Sequence, residues 1–272
     1  PPIDDNAKAP IPIISVPSKE QTALIETLQQ DLEINRAERY DRLRAELPEF
    51  STWLTEHINP SKEKKLDPSD DGVEGPVFSS NFEEMSGNLV SNDAQPEKPG
   101  RIRGNPIWTE GRRGGGFKFS GDNYIDYGNV GSFQGHRPFS YGAWIRTESF
   151  TSGPIIAKLD AANHNQGYEV SVNNGIVSAE LARERPSFSI KVSTKEKVLE
   201  AGSWHHVFVT NDGSREASGL VIYVDGKRVP LDVHSDSLKY KRGIQHDKPL
   251  LLGSRDTEAL FRGATIDDVR LY

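Results

Sequence analysis

Two neighbouring runs decide the fold class of this chain: Gly202-Ser-Trp-His-His-Val-Phe-Val-Thr-Asn-Asp-Gly213 and Gly219-Leu-Val-Ile-Tyr-Val-Asp-Gly226. Side chains alternate between the two sides of an extended strand, so Trp204, His206 and Phe208 share one face of the first run. The residues between them share the other face, and both faces are expected to be covered. The Asp-Gly pair that ends the second run suits the positive φ angles of a tight hairpin turn. These runs predict a strand pair within a β-sandwich.

Residues 77–272 continue this pattern of short alternating runs, separated by Gly, Asn and Asp, without a sustained helical period. The pattern predicts a β-sandwich, and about a dozen strands require two sheets. The small residues beside Trp144, in Tyr141-Gly-Ala-Trp-Ile-Arg146, predict tight sheet-on-sheet packing around the indole ring. The predicted strands are 117–119, 124–127, 139–146, 154–158, 168–172, 176–181, 187–192, 204–210, 220–224, 250–252 and 264–271.

The N-terminal part of the chain has a helical period instead. Leucines recur at helical spacing from Leu24 to Leu47, after a capping-box pattern at Ser18 and Gln21. Pro48 is expected to end this helix, and a second short apolar face follows it. The predicted organisation is an N-terminal helical arm over 1–60, a charged linker over 61–76 and a β-sandwich over 77–272. We expect the apolar stripe of the arm to pack on the sandwich or on a neighbouring region of a parent chain, with a self-associating coiled coil as the alternative.

The composition narrows the class of protein. The chain has no cysteine, and its 33 Lys and Arg against 40 Asp and Glu give a net charge of −7. This balance disfavours non-specific binding to nucleic acid. No window approaches the roughly 18 apolar residues that a membrane-spanning helix needs. The chain opens on two prolines rather than methionine, so we expect a soluble piece of a longer protein, with no nucleic-acid partner and no membrane insertion.

Five sequence blocks follow one another in the second part of the chain. They are Phe117-Lys-Phe-Ser-Gly-Asp-Asn-Tyr-Ile-Asp-Tyr127, Phe139-Ser-Tyr-Gly-Ala-Trp-Ile-Arg146, Gly167-Tyr-Glu-Val-Ser-Val172, Gly202-Ser-Trp-His-His-Val207 with Tyr223-Val-Asp-Gly226, and Phe261-Arg-Gly-Ala-Thr-Ile-Asp-Asp-Val-Arg-Leu-Tyr272. In this order the blocks resemble the laminin-G-like, concanavalin A-like lectin/glucanase group, in particular its pentraxin-related branch. The resemblance implies a mainly β fold, a jelly-roll sandwich of two antiparallel sheets that takes ligands at the loops of one rim or on its concave sheet.

A second resemblance concerns the end of the arm. The segment Arg39-Tyr-Asp-Arg-Leu-Arg-Ala-Glu-Leu47, just ahead of such a sandwich, is similar to large planctomycete surface or periplasmic proteins. In those proteins the sandwich sits between helical domains and a c-type cytochrome module. The similarity implies an exported bacterial parent protein and an extracytoplasmic location, whether periplasmic, on the cell surface or secreted.

The acidic residues disfavour catalysis. Glucan-cleaving enzymes of this fold resemble one another in a strand reading Glu-x-Asp-x-x-Glu or Glu-x-Asp-x-Glu, whose alternate carboxylates face one sugar. No such triplet occurs in this chain. Asp267 and Asp268 are adjacent, so on a strand they point to opposite faces. We predict a noncatalytic protein, and a sialidase-like or lyase site of scattered Tyr, His and Arg stays open because such groups meet only in three dimensions.

A structural calcium ion is the cofactor that the resemblance implies. Members of the group often hold calcium between an early strand and the last, and Glu83 and Asp267 occupy positions that resemble the acidic pair. Relatives usually show Asp where this chain has Glu83, whose longer side chain changes the site. The alternative is that these acids are solvated or pair with arginines. The seven histidines include no pair with useful spacing for zinc.

The expected ligand surface lies on the loop 160–166 and the segment 182–188, with Arg255 nearby in the arrangement that the resemblance implies. Amide, guanidinium and aromatic groups combine there, and such groups suit hydroxyls and anionic sugars. The alternative is that these loops are polar only because they are exposed. Gly111-Arg-Arg-Gly-Gly-Gly116 lacks the ending of a phosphate-binding loop and is predicted to be a turn before a strand. The predicted ligand-binding residues are His164, Asn165, Arg183, Arg185, Phe188 and Arg255.

Three hypotheses of function agree with these patterns. The leading hypothesis is a noncatalytic recognition module that binds a glycan or a partner protein within a larger exported protein. The second is a structural spacer that docks onto other domains of the parent chain, which the apolar stripe of the arm favours. The third is a polysaccharide hydrolase or lyase, because this fold hosts enzymes elsewhere.

Overall fold

The computed structural model describes residues 75–238, 243–256 and 259–272, together with six helical positions, Gln21, Leu24, Thr27, Leu28, Asp31 and Asn35. The predicted helical arm over 1–60 and the predicted linker over 61–76 otherwise lie outside the described residues, apart from positions 75 and 76. Contacts divide the chain into two units, Pro1–Gly72 and Val73–Tyr272. All the strands of the structure belong to the second unit.

The described part of this unit is almost entirely extended chain. Its only helical turns are two short 3₁₀ turns, at Ala161–Asn163 and Ala217–Gly219. Its sixteen strands are β1 Phe78–Ser80, β2 Leu89–Val90, β3 Gly100–Arg103, β4 Trp108–Glu110, β5 Gly115–Ser120, β6 Tyr124–Asp126, β7 Phe139–Asp160, β8 Gln166–Asn173, β9 Ile176–Glu184, β10 Phe188–Thr194, β11 Trp204–Asn211, β12 Leu220–Val224, β13 Lys227–Arg228, β14 Leu231–Asp236, β15 Leu250–Leu252 and β16 Arg262–Leu271.

Two antiparallel layers share the long strand β7. In layer A the strand order is β14-β10-β9-β8-β7-β15-β6-β3-β2. In layer B the order is β13-β12-β11-β7-β16-β5-β4, with β1 paired to the end of β16. Residues 139–147 of β7 pair with β11 and β16, residues 152–160 pair with β8, and Ser152 also pairs with β16. The mainly β, antiparallel sandwich expected from the sequence is confirmed.

Strand β7 corrects one prediction. The sequence predicted separate strands at 139–146 and 154–158, but the structure has one continuous strand of 22 residues. Gly153, with φ 128°, changes the direction of the chain without ending the strand. The Thr151 hydroxyl donates to the carbonyl of Gly263 at 2.7 Å. This bond holds against β16 the part of β7 that passes from one layer to the other. One strand therefore serves both layers.

The strand pair that opened the sequence argument is confirmed. Strands β11 and β12 pair antiparallel, with Val207 opposite Val224 and Asn211 opposite Leu220. Strand β12 then turns into β13 through Asp225 and Gly226, whose φ angles are 52° and 76°. Two successive positive φ angles are those of a type I′ hairpin turn, the turn that an Asp-Gly pair favours.

The core lies between the two layers, and every second residue of the central strands points into it. The rings of Tyr141 in layer B and Tyr168 in layer A meet at 5.1 Å between centroids. Each hydroxyl finds a carbonyl inside the core: Tyr141 donates to Glu169 at 3.2 Å, and Tyr168 donates to Gly131 at 2.7 Å. Burying a large apolar side chain stabilises the fold by about 1.5–3 kcal/mol. The inward residues of the central strands β7 and β8 are Tyr141, Ala143, Ile145, Tyr168, Val170 and Val172.

The same alternation corrects the prediction for Trp144. Its neighbours Ala143 and Ile145 are buried in the core, so the indole faces outward on layer B and is only partly buried. The prediction of sheet-on-sheet packing around this indole was therefore wrong. The reason is parity: Trp144 shares its face of the strand with small and polar residues, whereas the apolar residues, Tyr141 among them, lie on the other face and form the core.

Candidate functional site

Four rings stand on the outer face of layer B and form an aromatic row: Trp144, His206, Phe208 and Tyr272. Trp144 and His206 lie 5.2 Å apart between ring centroids, and His206 and Phe208 lie 5.7 Å apart with nearly parallel planes. Phe208 meets Tyr272 edge-on at 6.3 Å. All four side chains are partly exposed. The face of β11 that we expected to be covered is thus an accessible aromatic surface.

A groove runs beside this row because Gly142 has no side chain. A Cβ at Gly142 would lie 2.3 Å from the carbonyl oxygen of Val207 and 2.6 Å from Cδ2 of Phe208. The Gly142 groove has a volume of about 340 Å³, and the aromatic row forms much of its lining. Burial lowers the pKa of His206 below its usual value, so its ring is neutral at pH 7.

Two cations and one acid also line the Gly142 groove: Arg113, Arg270 and Asp268. Arg270 is about half exposed and lies 3.3 Å from the carboxylate of Asp268. Asp268 occupies a bulge in β16 with φ 49°, which interrupts the pairing with β7 between residues 267 and 270. The groove therefore combines flat rings with guanidinium groups.

The turn Gly111-Arg112-Arg113-Gly114, the arginine turn, is held beside the aromatic row by a buried acid. Gly111 N–H donates to the Gly114 carbonyl at 3.0 Å, which closes the turn before β5 as the sequence predicted. Asp267 Oδ2 accepts the backbone N–H groups of Arg112 at 2.8 Å and Arg113 at 3.0 Å. The Arg112 guanidinium carbon lies 5.0 Å from the centroid of the Trp144 ring, a cation–π contact.

Asp267 thus has a defined role in positioning the arginine turn. Its second oxygen, Oδ1, accepts the N–H of Asp268 at 2.7 Å. Burial raises the pKa of Asp267 above its usual value, and the N–H donors from the arginine turn oppose that rise. Sequence reasoning did not connect Asp267 with the two arginines, because about 155 residues separate them along the chain.

The predicted calcium pair, Glu83 and Asp267, flanks this same turn. Glu83 Oε2 accepts the N–H of Gly115 at 3.4 Å, so both acids already bind backbone donors of one loop. Over 75–238, 243–256 and 259–272, no group of three or more His, Cys, Asp or Glu side chains is placed to hold a metal ion. The donor set fits a loop-holding role better than a cation cage, and calcium at this pair stays a prediction.

The predicted ligand-binding residues come together at one end of layer A. His164 and Asn165, with φ angles of 56° and 57°, form the loop before β8. The carbonyl of His164 accepts the N–H of Arg185 at 3.0 Å. Arg183 donates to Gln166 Oε1 at 3.1 Å. These contacts join the loop 160–166 to the turn between β9 and β10, where Phe188 begins β10.

Two buried glutamates bind the guanidinium groups of Arg185 and Arg255. The charges of these two arginines are therefore only partly available to solvent. Arg255 forms a bidentate pair with Glu169, with both N···O distances at 2.7 Å. Arg185 lies 3.4 Å from Glu169 and 2.9 Å from Glu180. Burial by itself raises the pKa of Glu169, but the Arg255 hydrogen bond and the Arg185 charge outweigh it, and the net pKa is lowered.

Glu169 and Glu180 were missed by the sequence argument. They lie directly opposite each other on β8 and β9, and only 3 % and 5 % of their surfaces are exposed. Each falls between core residues of a predicted strand, which places it on the outer face, but their pairing depends on strand register. A glycosidase needs two carboxylates that reach one sugar. Here arginines engage both carboxylates, so this pair fits a structural role.

The histidine pair is explained by hydrogen bonding. His205 Nε2 accepts a hydrogen bond from the backbone N–H of Glu200 at 3.0 Å, so Nδ1 carries the ring hydrogen and donates to Asp225 at 2.8 Å. Both ring nitrogens of His205 are therefore engaged. His206 belongs to the aromatic row instead, which agrees with the expectation that the two histidines face opposite ways.

Within the described residues, no helix combines the length and apolar character needed to cross a membrane. Several solved structures share the fold. The binding domain of Paraclostridial Mosquitocidal Protein 1 has a TM-score of 0.56 and 16% identity, covering 73% of this chain and 48% of that chain. The binding domain of botulinum neurotoxin DC in complex with SialylT has a TM-score of 0.53 and 14% identity, covering 73% and 48%.

The ligand binding domain of botulinum neurotoxin serotype D in complex with N-acetylneuraminic acid has a TM-score of 0.51 and 13% identity, covering 73% of this chain and 47% of that chain. The chain thus spans about half the length of the solved structures it matches, and at these identities the likeness shows the fold alone. No curated protein matches the sequence. A family profile described as Concanavalin A-like lectin/glucanases superfamily, Laminin_G_3, matches residues 119–272. The chain belongs to the concanavalin A-like lectin/glucanase superfamily, as its five sequence blocks predicted.

Proposed function

We propose that residues 77–272 form a noncatalytic recognition module that binds a glycan in the Gly142 groove. The observation that carries the proposal is the outward aromatic row beside the arginine turn. Flat rings present apolar surface to the faces of sugars, and guanidinium groups bind hydroxyl and acidic groups in fixed geometry. A concave surface with aromatic lining and a few convergent polar groups is the usual form of a ligand site.

The disposition of the acids supports recognition over catalysis. Glu169 and Glu180 are buried under arginines, and Asp267 is occupied by backbone N–H groups. Among the described residues that line the Gly142 groove, Asp268 is the one acid, and a glycosidase needs two carboxylates at one sugar. Two of the solved relatives were determined with N-acetylneuraminic acid or SialylT bound. Those ligands belong to those proteins, and they make carbohydrates the first ligand class to test here.

The test is a glycan array with the full 272-residue chain, followed by titration calorimetry on the best ligand. Phe208→Ala removes one ring of the aromatic row and should weaken binding roughly two- to twelvefold, because an aromatic contact contributes about 0.5–1.5 kcal/mol. Phe150→Ala is the matched control, because this ring is 81% exposed and lies outside the groove. Equal affinity in the two variants, or an array without a bound glycan, would contradict the proposal.

We propose a supporting role for the predicted loop residues. The contacts of Arg185 with His164, Glu169 and Glu180 hold the loop 160–166 in one conformation. Direct ligand binding by His164, Asn165, Arg183, Arg185, Phe188 and Arg255 stays a prediction, and Arg183→Gln measured with the same glycans is its test. An unchanged affinity in Arg183→Gln would count against this second surface.

Calcium at Glu83 and Asp267 also stays a prediction. A bound ion would compete with the Gly115 N–H at Glu83 and with the arginine turn at Asp267. Thermal unfolding with calcium chloride or with a chelator tests the ion. A rise in Tm with calcium that Glu83→Gln removes would support the site, and an unchanged Tm would leave these acids their loop-holding role.

A structural spacer that docks onto other domains of a longer parent chain is the second candidate. Leu24 and Leu28, one helical turn apart, are 58% and 57% exposed. Such a pair offers an apolar contact to another domain. Our proposal places the parent among exported, extracytoplasmic proteins of the planctomycete type with a cytochrome c module, and the sandwich in the pentraxin-related branch. Stronger hydrogen-exchange protection of Leu28 in a longer parent protein than in the 272-residue chain would support docking.

A further inference from the structure

A second cavity opens on the outer face of layer B, further along β7 than the Gly142 groove. It has a volume of about 440 Å³. Its lining includes Lys118, Arg146, Gly202 and Thr265, and we call it the Arg146 cavity. Three of these residues lie in one row across the layer, because Thr265 is opposite both Lys118 and Arg146. The row ends at Trp204, which is opposite Arg146 on β11.

The Arg146 cavity and the Gly142 groove each lie beside a cation–π contact between an arginine and a tryptophan. The Arg146 guanidinium carbon lies 5.0 Å from the centroid of Trp204, as the Arg112 guanidinium carbon lies 5.0 Å from that of Trp144. Each cavity is thus lined by one member of an arginine–tryptophan pair, Trp144 in the Gly142 groove and Arg146 in the Arg146 cavity. Stacking leaves the edge of a guanidinium group free to donate hydrogen bonds to an anion.

The two cavities follow one another along strand β7. Gly142, Trp144 and Arg146 are alternate residues of β7, so all three are on the outer face. Alternate residues of a strand are spaced by roughly 6.7 Å, which separates positions 142 and 146 by about 13 Å. A single small ligand does not fill both cavities at that separation. An extended chain that follows β7 does.

The charges on this face favour an acidic chain. Lys118 and Arg270 have acidic partners, at 2.6 Å to Glu148 and 3.3 Å to Asp268. Within the part of the chain that the structure describes, no ion pair engages the side chains of Arg112, Arg113 and Arg146. Two cations and one acid line each cavity, the acid being Glu148 in the Arg146 cavity and Asp268 in the Gly142 groove. Each lining therefore has an excess of one positive charge, in a chain whose net charge is −7.

We propose that the outer face of layer B binds an extended acidic polysaccharide, which follows β7 and occupies the Gly142 groove and the Arg146 cavity together. This inference rests on the proposed glycan function and adds two requirements, negative charge and chain length. One acidic sugar lies against the aromatic row, and another reaches Arg146. The two cavities act as linked sites on one ligand, so longer chains gain affinity over short ones.

The experiment is titration calorimetry of the full 272-residue chain with oligogalacturonates of two, four and eight units. Neutral malto-oligosaccharides of equal length are the comparison ligands. We expect the acidic octamer to bind about tenfold or more tightly than the acidic dimer. Arg146→Gln should remove most of that gain and leave the dimer affinity within about twofold. Arg103→Gln, an exposed arginine on β3 of layer A, should leave the gain intact.

Each outcome separates this inference from the proposed function. Neutral chains could bind as tightly as acidic ones while Phe208→Ala still weakens binding. This result would overturn the inference but leave the proposed glycan binding in place. Acidic chains without a length effect would also overturn it. Single-stranded oligothymidylate that binds as tightly as the octamer would indicate a general polyanion surface and overturn it as well. An unchanged Tm shows that Arg146→Gln is folded.

Discussion

The outer faces of the two layers both carry arginines, but their partners differ. On layer A, Arg185 and Arg255 are bound by Glu169 and Glu180, two acids that are almost fully buried. On layer B, Arg112 and Arg146 lie over the rings of Trp144 and Trp204. A carboxylate neutralises a guanidinium group, whereas a ring only covers one of its faces. The partner of an arginine, more than its presence, therefore decides whether its charge is available to a ligand.

The largest expected effect tests the structural role of layer A. Glu169→Ala leaves Arg185 and Arg255 without their shared acid, and breaking a buried pair costs about 3–5 kcal/mol. Because Arg255 is 32% exposed, we expect the free energy of unfolding to fall by about 3 kcal/mol, the lower end of that range. Urea denaturation measures it.

The matched variant on layer B is Arg270→Gln, whose side chain is 51% exposed. Its free energy of unfolding should stay within about 0.5 kcal/mol of the parent value. Equal losses in Glu169→Ala and Arg270→Gln would break the comparison, because both faces would then be structural.

A smaller effect is expected from filling the groove. Gly142→Ala places a methyl group within 2.3 Å of the Val207 carbonyl and 2.6 Å of Phe208, so the strand or the ring has to move. Overpacking of this kind costs about 1–3 kcal/mol. The same variant should weaken glycan binding, because the ring of Phe208 is displaced.

Chemical denaturation and calorimetry measure the two effects of Gly142→Ala. Gly75→Ala is the control, since nothing lies within 4 Å of a Cβ there. A Gly142→Ala protein that loses stability but keeps its full glycan affinity would remove layer B from the comparison as a binding face.

The smallest effect concerns acid pH. The pKa values of the buried acids in the two layers are shifted in opposite directions, so their contributions to stability change with pH in opposite directions. The pKa of Glu169 is lowered, so its contribution to stability is present above the ordinary glutamate pKa of about 4.3 and is lost as the pH falls. The pKa of Asp267 is raised, so its contribution is present below the ordinary aspartate pKa of about 3.9 and is lost as the pH rises.

Variants separate these two contributions. Glu169→Gln should flatten the loss of stability between pH 5 and pH 3, and Asp267→Asn should steepen it. Urea midpoints across that range give both slopes. Slopes that change in the same direction would show that the pKa values of Glu169 and Asp267 are shifted in the same sense, and the contrast between the two layers at acid pH would be lost.

The sequence predicted the features that depend on neighbours along the chain. Asp225-Gly226 forms the expected turn, and alternation correctly marked strand β11 and its pairing with β12. The superfamily was recognisable from five ordered blocks, because each block contains the same local signals, namely alternation along a strand and turn residues. These features need no knowledge of strand register.

The candidate site could not be predicted in the same way. Alternation along 139–146 places Trp144 on the face of the small and polar residues, but the small neighbours of the indole led us to assign it to the core. The link between Asp267 and the arginine turn joins distant parts of the chain. The facing of Glu169 and Glu180 depends on the register of β8 against β9. These last two features depend on non-local pairing, for which one sequence carries little signal.

The shared strand β7 has a thermodynamic consequence. Since residues 139–147 and 152–160 belong to one unbroken strand in two layers, neither layer can detach without pulling hydrogen bonds from the other. Melting of Val73–Tyr272 should therefore be a single cooperative transition. The slowest-exchanging amides of both sheets should report one common opening free energy, and a weak spot introduced in either sheet would lower it for both.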